Sequence, residues 1–417
     1  MSGGAAVAVV SRESGAGAGR AGAGPSGRVR AVASVWTLVG LILLTVNLRA
    51  AITGVAPVLA DLRVAFGLSG VAVSVLTTLP VLCLGAFASV APIASRRFGT
   101  ERAIAGSLVL ITAGIALRLV PASAALFAGT VLAGAGIAMG NVLMPAVIKR
   151  AFPDRVGSLT GVAMMLMACS GALAAALAVP LDDAGGWRLA LAVWAVPSLV
   201  AALVWAPLAA RAKDRRPSGN VPQPVEGSLL RSPLAWCVAA FMGLASLMFY
   251  VLMSWMPQIM REGGVSAATA GLMMSAMLII GIPLGYVVPV LSARLRDQRP
   301  VVVAVGAAMA AGVAGLLVAP QAGWAWVALL GLATGSAFPL AYTLLSLRSP
   351  SPAVAARLSG MAQTGGYLVA GFGPLAVGVL RDATGGWTVS LVLLLALVVP
   401  EIVFGLLAAR PGLVRTA

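Results

Sequence analysis

The chain has 417 residues, of which 60% are hydrophobic and 10% are charged, and its formal net charge is +16. About a quarter of the residues in a soluble domain are charged, so this composition excludes a water-soluble protein and indicates one that lies in a lipid bilayer. The positive charge does not indicate a nucleic-acid partner. The basic residues lie in short segments between apolar runs, where they report membrane topology.

Twelve apolar runs, each about as long as a bilayer is thick, follow a tail that is poor in large apolar residues. The runs lie near 34–58, 69–94, 103–120, 122–148, 157–181, 188–208, 233–257, 266–291, 300–319, 324–347, 358–380 and 388–409. We therefore predict an all-α integral membrane protein with these parts: a disordered cytoplasmic tail (1–31), an N-terminal six-helix bundle (32–210), a cytoplasmic linker (211–232), a C-terminal six-helix bundle (233–410) and a cytoplasmic tail (411–417).

The distribution of basic residues predicts the orientation of these spans. With a cytoplasmic N-terminus, the segments on the cytoplasmic side contain 22 lysines and arginines, and those on the outer side contain five, Arg118 among them. Because basic residues are concentrated in cytoplasmic loops, we expect a multi-pass protein of the cytoplasmic membrane with both termini inside.

An internal repeat divides the chain into two similar halves. Gly67-Leu-Ser69 matches Gly264-Val-Ser266, and Leu159-Thr-Gly161 matches Leu358-Ser-Gly360 in the same order. Six crossings per half give both halves the same orientation. Two parallel six-helix repeats with a substrate site between them are the arrangement of major facilitator transporters.

Arg49 is the candidate for the centre of the site, because it lies in the middle of the first span. A charged side chain near the centre of a bilayer costs roughly 3 kcal/mol on insertion scales. Helical spacing places Thr53 on the same face as Arg49, toward the cavity, and turns Asn47 toward a neighbouring helix. An anionic substrate is one explanation for the arginine; neutralisation by helix carbonyls or by a permanent acidic partner is the other.

The second half has Ser246 at the place that matches Arg49, so the halves are chemically unequal. Polar and aromatic residues at helical spacing on several spans complete the candidate cavity, and interhelical packing is the alternative for each of them. The predicted substrate-binding residues are Arg49, Thr53, Thr78, Asn141, Ser246, Tyr250, Tyr342, Gln363 and Tyr367.

Two acidic residues are candidates for proton coupling, which needs a titratable group in the membrane. Glu401 lies inside the last span, and Asp61 lies at the outer end of the first. We expect a structural role for Glu401, through snorkelling or a bond to a neighbour, because the last helix of each half lies outside the cavity in a six-plus-six architecture. Coupling stays open.

Enzymatic functions lack their essential residues. No Gly-Lys-Ser/Thr sequence forms a phosphate loop, and the absence of histidine removes the usual zinc motif and the Ser-His dyad. We expect no enzyme activity, no cofactor and no metal. A small-molecule substrate and the lipid bilayer are the expected partners of a monomer, and a non-catalytic membrane receptor is the alternative class.

Several short segments of the chain form a specific pattern when they are taken in order. They are Asn47-Leu-Arg-Ala-Ala-Ile-Thr53, Leu76-Thr-Thr-Leu-Pro-Val-Leu82, Arg97-Phe-Gly99, Asn141-Val-Leu-Met-Pro145 with Lys149-Arg150, and Ser359-Gly-Met-Ala-Gln363 with Gly366-Tyr367. Together they resemble the cyanate and nitroimidazole transporter family of the major facilitator superfamily, and the resemblance extends over nearly the whole chain after the tail.

The resemblance implies a secondary transporter that moves a small anion or compact polar solute, such as cyanate, by alternating access. An exporter of a larger neutral aromatic drug or metabolite is the alternative. Arg97 and Gly99 belong to a gating loop after the second span in this superfamily. Pro92 and Arg96 stand where that loop has a Gly and an Asp, which puts its Asp-based gating contact in doubt.

Overall fold

The computed structural model describes residues 25–214 and 228–414, and fourteen α-helices account for most of them. The helices of the N-terminal half are α1 (Pro25–Thr53), α2 (Leu59–Phe66), α3 (Gly70–Ala88), α4 (Val90–Phe98), α5 (Thr100–Arg118), α6 (Ser123–Ala151), α7 (Val156–Ala192) and α8 (Ala195–Asp214). Those of the C-terminal half are α9 (Pro233–Glu262), α10 (Ala267–Arg294), α11 (Arg299–Val318), α12 (Gly323–Leu347), α13 (Pro352–Thr384) and α14 (Thr388–Ala408).

These helices form the twelve predicted spans. Helices α1 and α2 make one span, which is broken after Thr53, and α3 and α4 make another, which is bent by 49°. In the described residues, nine helices, or ten with the bent pair, are long and apolar enough to cross a membrane. One of the nine runs from Pro153 to Ala210 and contains two spans, because the chain reverses at the non-helical Gly185 and Gly186. The twelfth span is α13, a glycine-rich helix of lower hydropathy.

The repeat appears in the backbone as well as in the sequence. Gly67 and Gly264 have φ angles of 61° and 90°, a region that glycine enters without steric cost. The serine two residues later caps the next helix in each half: Ser69 accepts a hydrogen bond from the Ala72 amide, and Ser266 accepts one from the Thr269 amide. The Gly-x-Ser signature is therefore a turn and helix start that both halves share.

The segments outside the two bundles are described only in part. Residues 25–31, at the end of the predicted tail, belong to helix α1, and residues 1–24 lie outside the described residues. In the predicted linker, α8 continues to Asp214, a short 3-10 helix spans Leu229–Arg231, and residues 215–227 are outside the described part.

The two halves pack against each other at the end of the bundle where α8 ends and α9 begins, here called the linker end. Helix α7 lies against α10, and α3 and α4 lie against α13. A Cβ atom built on Gly161 would be 2.7 Å from the Tyr286 carbonyl oxygen, and one on Gly157 would be 2.8 Å from the Pro289 carbonyl oxygen. Glycine thus allows backbone contact between the halves. Lys149 adds a hydrogen bond of 2.9 Å from its Nζ to the Ser346 carbonyl oxygen.

At the opposite end of the bundle, the buried apolar clusters of the described residues lie within each half and not between the halves. One apolar cluster there joins α2, α3, α6 and α7 of the N-terminal half around Val58, Leu62 and Trp187. A second joins helices of the C-terminal half around Met256, Met273 and Val313. The large cluster at the linker end contains residues of both halves. The described bundle is therefore closed at the linker end.

Candidate functional site

A cavity of about 90 Å³ lies between the two halves, in the middle of the bundle. Helices of both halves contribute to its wall. Its lining consists of Leu48, Arg49, Ile52, Thr53, Pro80, Val81, Leu84, Asn141, Met167, Phe249, Tyr250, Met253 and Tyr367. Five of the predicted binding residues therefore meet here: Arg49, Thr53, Asn141, Tyr250 and Tyr367.

Arg49 is the charged residue of this cavity. Its guanidinium carbon lies 5.8 Å from the centre of the Phe249 ring on the facing half, within the range of a cation–π interaction. In the described part of the chain, no carboxylate lies within ion-pair distance of Arg49, and no carbonyl accepts a hydrogen bond from it. The two alternatives to an anionic ligand, an acidic partner and helix carbonyls, are thus not found among these residues.

The last turn of α1 is fixed by side chains on both faces. The hydroxyl of Thr53 donates to the Gly171 carbonyl oxygen on α7, at 3.0 Å. Asn47 points away from the cavity and donates to the Pro197 carbonyl oxygen on α8, at 3.1 Å. The prediction that Asn47 binds a neighbouring helix is confirmed. Its position two residues before Arg49, on another face of the helix, was enough to predict this.

The C-terminal half provides an aromatic wall. Phe249 and Tyr250 of α9 pack edge to face at 5.4 Å, and Tyr250 lies 6.5 Å from Tyr367 of α13. Behind them, Phe338 and Tyr342 of α12 pack at 4.9 Å, and Phe338 also contacts Tyr367. The cavity therefore combines one cation from the N-terminal half with aromatic rings from the C-terminal half.

Asn141 supplies a polar group to the same cavity. Its side chain is 4% exposed, and its Oδ1 atom has no hydrogen-bond partner in the described residues. A buried acceptor without a donor costs free energy. A ligand with an N–H or O–H group would satisfy it, so the cavity offers both a cation and an acceptor.

Four predicted binding residues do not line the cavity. Ser246 is buried, and its hydroxyl donates to the Met242 carbonyl oxygen of its own helix at 2.8 Å. Gln363 is buried and donates to the Ser359 hydroxyl at 2.7 Å. Tyr342 lies in the layer behind the aromatic wall, and Thr78 is exposed on α3. Ser246 and Gln363 share a helix face with Tyr250 and Tyr367 but lie one turn before them, outside the part of α9 and α13 that lines the cavity.

Other lining residues were missed because they are apolar. Leu48 and Ile52 flank Arg49 on its helix, so the position of Arg49 could have indicated them. Met167 and Leu84 have no signal in the sequence, since nothing distinguishes them from core residues. Arg118 does not line the cavity, but the sequence analysis placed it in an outer loop, whereas it is 2% exposed.

The predicted gating residues lie at the linker end. Arg97 is exposed near the end of α4 and stacks over Phe98 at 5.5 Å. In the described residues it forms no ion pair. Gly99 ends the helix with a φ of 89°. Asp61 is exposed in the first turn of α2 and does not line the cavity.

Glu401 is buried in α14 at 2% exposure and is not part of the cavity wall. Neither of its carboxyl oxygens has a hydrogen-bond partner in the described residues. The expected snorkelling or bond to a neighbour is therefore not what the structure shows. The reason is that α14 packs against α9 and α11, whose apolar residues enclose the carboxyl.

We expect Glu401→Gln to leave the pH dependence of transport unchanged, because the carboxyl does not reach the cavity. The measurement is substrate uptake into proteoliposomes across a range of external pH, with the amount of folded protein determined in parallel. A loss of proton-driven accumulation at normal expression would instead make Glu401 a coupling residue.

Two six-helix halves around a cavity that contains Arg49 and Asn141 are the architecture of a solute carrier. The family profile described as Major Facilitator Superfamily matches residues 41–374, and the chain belongs to that superfamily of multi-pass membrane transporters. The fold is similar to that of the transporter FucP in the outward conformation, with a TM-score of 0.70 and 14% identity over 90% of this chain and 99% of that one.

Two relatives resemble the chain over most of its length. The 2-nitroimidazole transporter of Escherichia coli (strain K12) is 38% identical over 382 residues, which cover 91% of this chain and 96% of the relative. The cyanate transport protein CynX of the same organism is 32% identical over 353 residues, covering 84% of this chain and 91% of the relative. The resemblance that the sequence motifs indicated is thus confirmed.

Proposed function

We propose that this protein is a secondary transporter, not an enzyme, that moves a small anion or compact polar solute such as cyanate across the cytoplasmic membrane by alternating access. The observation that supports this most directly is the guanidinium of Arg49. It faces a cavity between the two halves, and no carboxylate in the described residues neutralises it. An anion bound there would supply the missing charge, and the planar donors of arginine would orient it.

The size of the cavity supports a small substrate. Sites for drug-sized ligands are roughly 300–1,000 Å³, whereas this cavity has about 90 Å³. The alternative, an exporter of a larger neutral aromatic compound, agrees with the aromatic wall of Tyr250 and Tyr367 but not with this volume. A compact heterocycle would satisfy both, and one relative is named as a 2-nitroimidazole transporter.

The packing of the halves supports alternating access. In the part of the chain that the structure describes, the buried cluster that joins the halves lies at the linker end, and the clusters at the opposite end each lie within one half. If the linker end is cytoplasmic, as the count of basic residues predicts, this arrangement is the outward-facing state. Opening the contacts between α7 and α10 would then release substrate to the cytoplasm.

Cysteine labelling tests the orientation of the bundle. We expect a cysteine at position 219, in the linker, to react with a membrane-impermeant thiol reagent only after the membrane is permeabilised. Cysteines replacing Asp183 and Gly386, at the opposite end, should react in intact cells. A reaction at position 219 in intact cells would contradict the six-plus-six topology.

The transport function itself is tested with purified protein in proteoliposomes. We expect uptake of labelled cyanate to be saturable and to be inhibited by other small monoanions. A thermal-shift screen of small anions, nitroimidazoles and larger aromatic compounds on the same protein ranks the ligands. Stabilisation only by large neutral aromatics, with no cyanate uptake, would favour the exporter.

A further inference from the structure

Arg118, the last residue of α5, is an arginine buried inside the N-terminal half. No carboxylate in the described residues lies within ion-pair distance of it. Burying a guanidinium without a counter-charge is costly. The arginine does not line the cavity, so its position needs an explanation other than direct contact with a substrate.

One nitrogen of this guanidinium has a partner. Nη1 of Arg118 donates a hydrogen bond of 2.7 Å to the carbonyl oxygen of Ala51, whereas Nε and Nη2 have no partner in the described residues. Ala51 lies in the last turn of α1, between Arg49 and Thr53. The single bond that Arg118 makes is therefore directed at the turn that presents both of these residues to the cavity.

The Ala51 carbonyl needs this donor because α1 ends here. In a continuing helix the amide of Val55 would bind the Ala51 carbonyl. The chain turns instead, and the Val55 amide donates to the Ile52 carbonyl oxygen at 3.3 Å. The last carbonyls of a helix need partners from elsewhere, and Arg118 provides one for Ala51.

The packing of α5 against α6 makes room for the arginine. A Cβ atom on Gly129 of α6 would be 2.5 Å from the Gly114 carbonyl oxygen and 2.9 Å from Cγ of Arg118. Close approach of the two helices at glycine lets the side chain pass over α6 toward α1. The contact between Arg118 and Ala51 is therefore part of the packed interior and not a surface contact.

We propose that Arg118 is a positioning residue of the anion site, which holds the last turn of α1 so that Arg49 and Thr53 face the cavity. The proposal rests on the proposed function, since Arg118 acts through Arg49. It predicts that the hydrogen bond matters more than the shape of the guanidinium, because only one of the three nitrogens is bonded.

The test is the affinity of the purified full-length protein for cyanate. Arg118→Met removes the donor and should weaken binding roughly tenfold or more, within the range of coupling between contacting residues. Arg118→Lys retains one charged donor and should stay within about threefold of the wild type. If lysine were no better than methionine, side-chain packing and not the hydrogen bond would be important, and the proposal would be wrong.

Arg348→Met is the matched control. Arg348 is also buried and also donates to carbonyls at the end of a helix, those of Ala408 and Ala409, but it lies at the linker end away from the cavity. We expect this variant to lower the thermal stability and to leave the affinity of the folded protein for cyanate unchanged. Equal weakening by Arg348→Met and Arg118→Met would mean a general loss of packing and would overturn the proposal.

A double-mutant cycle separates positioning from an independent effect. In a variant that already carries Arg49→Lys, adding Arg118→Met should lower the affinity for cyanate by less than about threefold. The reason is that the turn held by Arg118 then presents a side chain that binds the anion more weakly. If Arg118→Met lowered the affinity for cyanate by the same factor with arginine and with lysine at position 49, the positioning role would be overturned. If the Arg49→Ala variant bound cyanate normally, the proposed function would be overturned. If Arg49→Ala abolished binding but Arg118→Met bound cyanate as the wild type does, the positioning role alone would be overturned.

Discussion

Replacing Arg49 by alanine should abolish substrate binding. The guanidinium faces a narrow cavity between the halves, where an anion interacts with it far more strongly than in water. Truncating one partner of a buried charge pair costs about 2–5 kcal/mol, and roughly 2.8 kcal/mol is a hundredfold in affinity. We therefore expect cyanate affinity to fall at least about a hundredfold, measured by titration of the purified protein.

Two further variants show what the arginine contributes. Arg49→Lys retains the charge and loses the planar set of donors, so we expect about a tenfold loss. Ser246→Ala, at the matching place of the other half, should stay within about threefold, because the Ser246 hydroxyl is bonded to its own helix. Normal transport by Arg49→Ala at normal affinity would end the anion-site hypothesis and favour a neutral substrate.

Replacing Gly161 by leucine should prevent the halves from closing at the linker end. A side chain at this position meets the Tyr286 carbonyl oxygen at 2.7 Å, and backbone cannot move aside as a flexible side chain can. Overpacking of this kind costs about 1–3 kcal/mol, enough to shift the ratio of the two conformations by roughly fivefold to a hundredfold. We expect slow transport and a population with the linker end open.

The shift is measured by placing a cysteine at Met253 and testing from which side of the membrane a thiol reagent reaches it. Met253 lines the cavity and is 40% exposed. With the three native cysteines replaced, it should react from outside in the otherwise unchanged protein and from the cytoplasmic side with Gly161→Leu. Gly106→Leu is the control, because Gly106 of α5 has no atom within 4 Å of its added Cβ. Unchanged sidedness with Gly161→Leu would contradict the role of this contact.

Much of the fold was available from the sequence, because the bilayer imposes strong requirements. A span must be apolar over about twenty residues, which is why the twelve runs could be counted. The duplicated Gly67-Leu-Ser69 motif then gave the two halves. The breaks in the spans were not predicted, because the stop signal after Thr53, Gly54 followed by Pro57, lies inside an apolar run that hydropathy treats as continuous.

The candidate site was predicted less completely, for a geometrical reason. Arg49 and Thr53 could be found because a charge in a span is rare and spacing fixes its neighbours. Ser246 was chosen by the repeat offset, and it shares one helix face with Phe249, Tyr250 and Met253. The cavity begins one turn further along that face, so α9 presents Phe249, Tyr250 and Met253 to it and not Ser246.

Arg118 shows a second limit of sequence patterns. A basic residue at the end of an apolar run is counted as part of a loop, since most such residues reach the membrane surface. Hydropathy contains no information on whether the side chain turns inward. Only the packing of α5 against α6 shows that this arginine reaches α1.

The unneutralised guanidinium of Arg49 has an electrical consequence. The arginine stays with the protein while the substrate crosses, so a monoanion that crosses alone moves one elementary charge through the membrane. An inside-negative membrane potential of 100 mV opposes the entry of that charge by about 2.3 kcal/mol, which corresponds to roughly a fortyfold concentration ratio. A neutral solute is not affected. The charge of the substrate therefore decides whether the resting potential of the cell favours its retention or its loss.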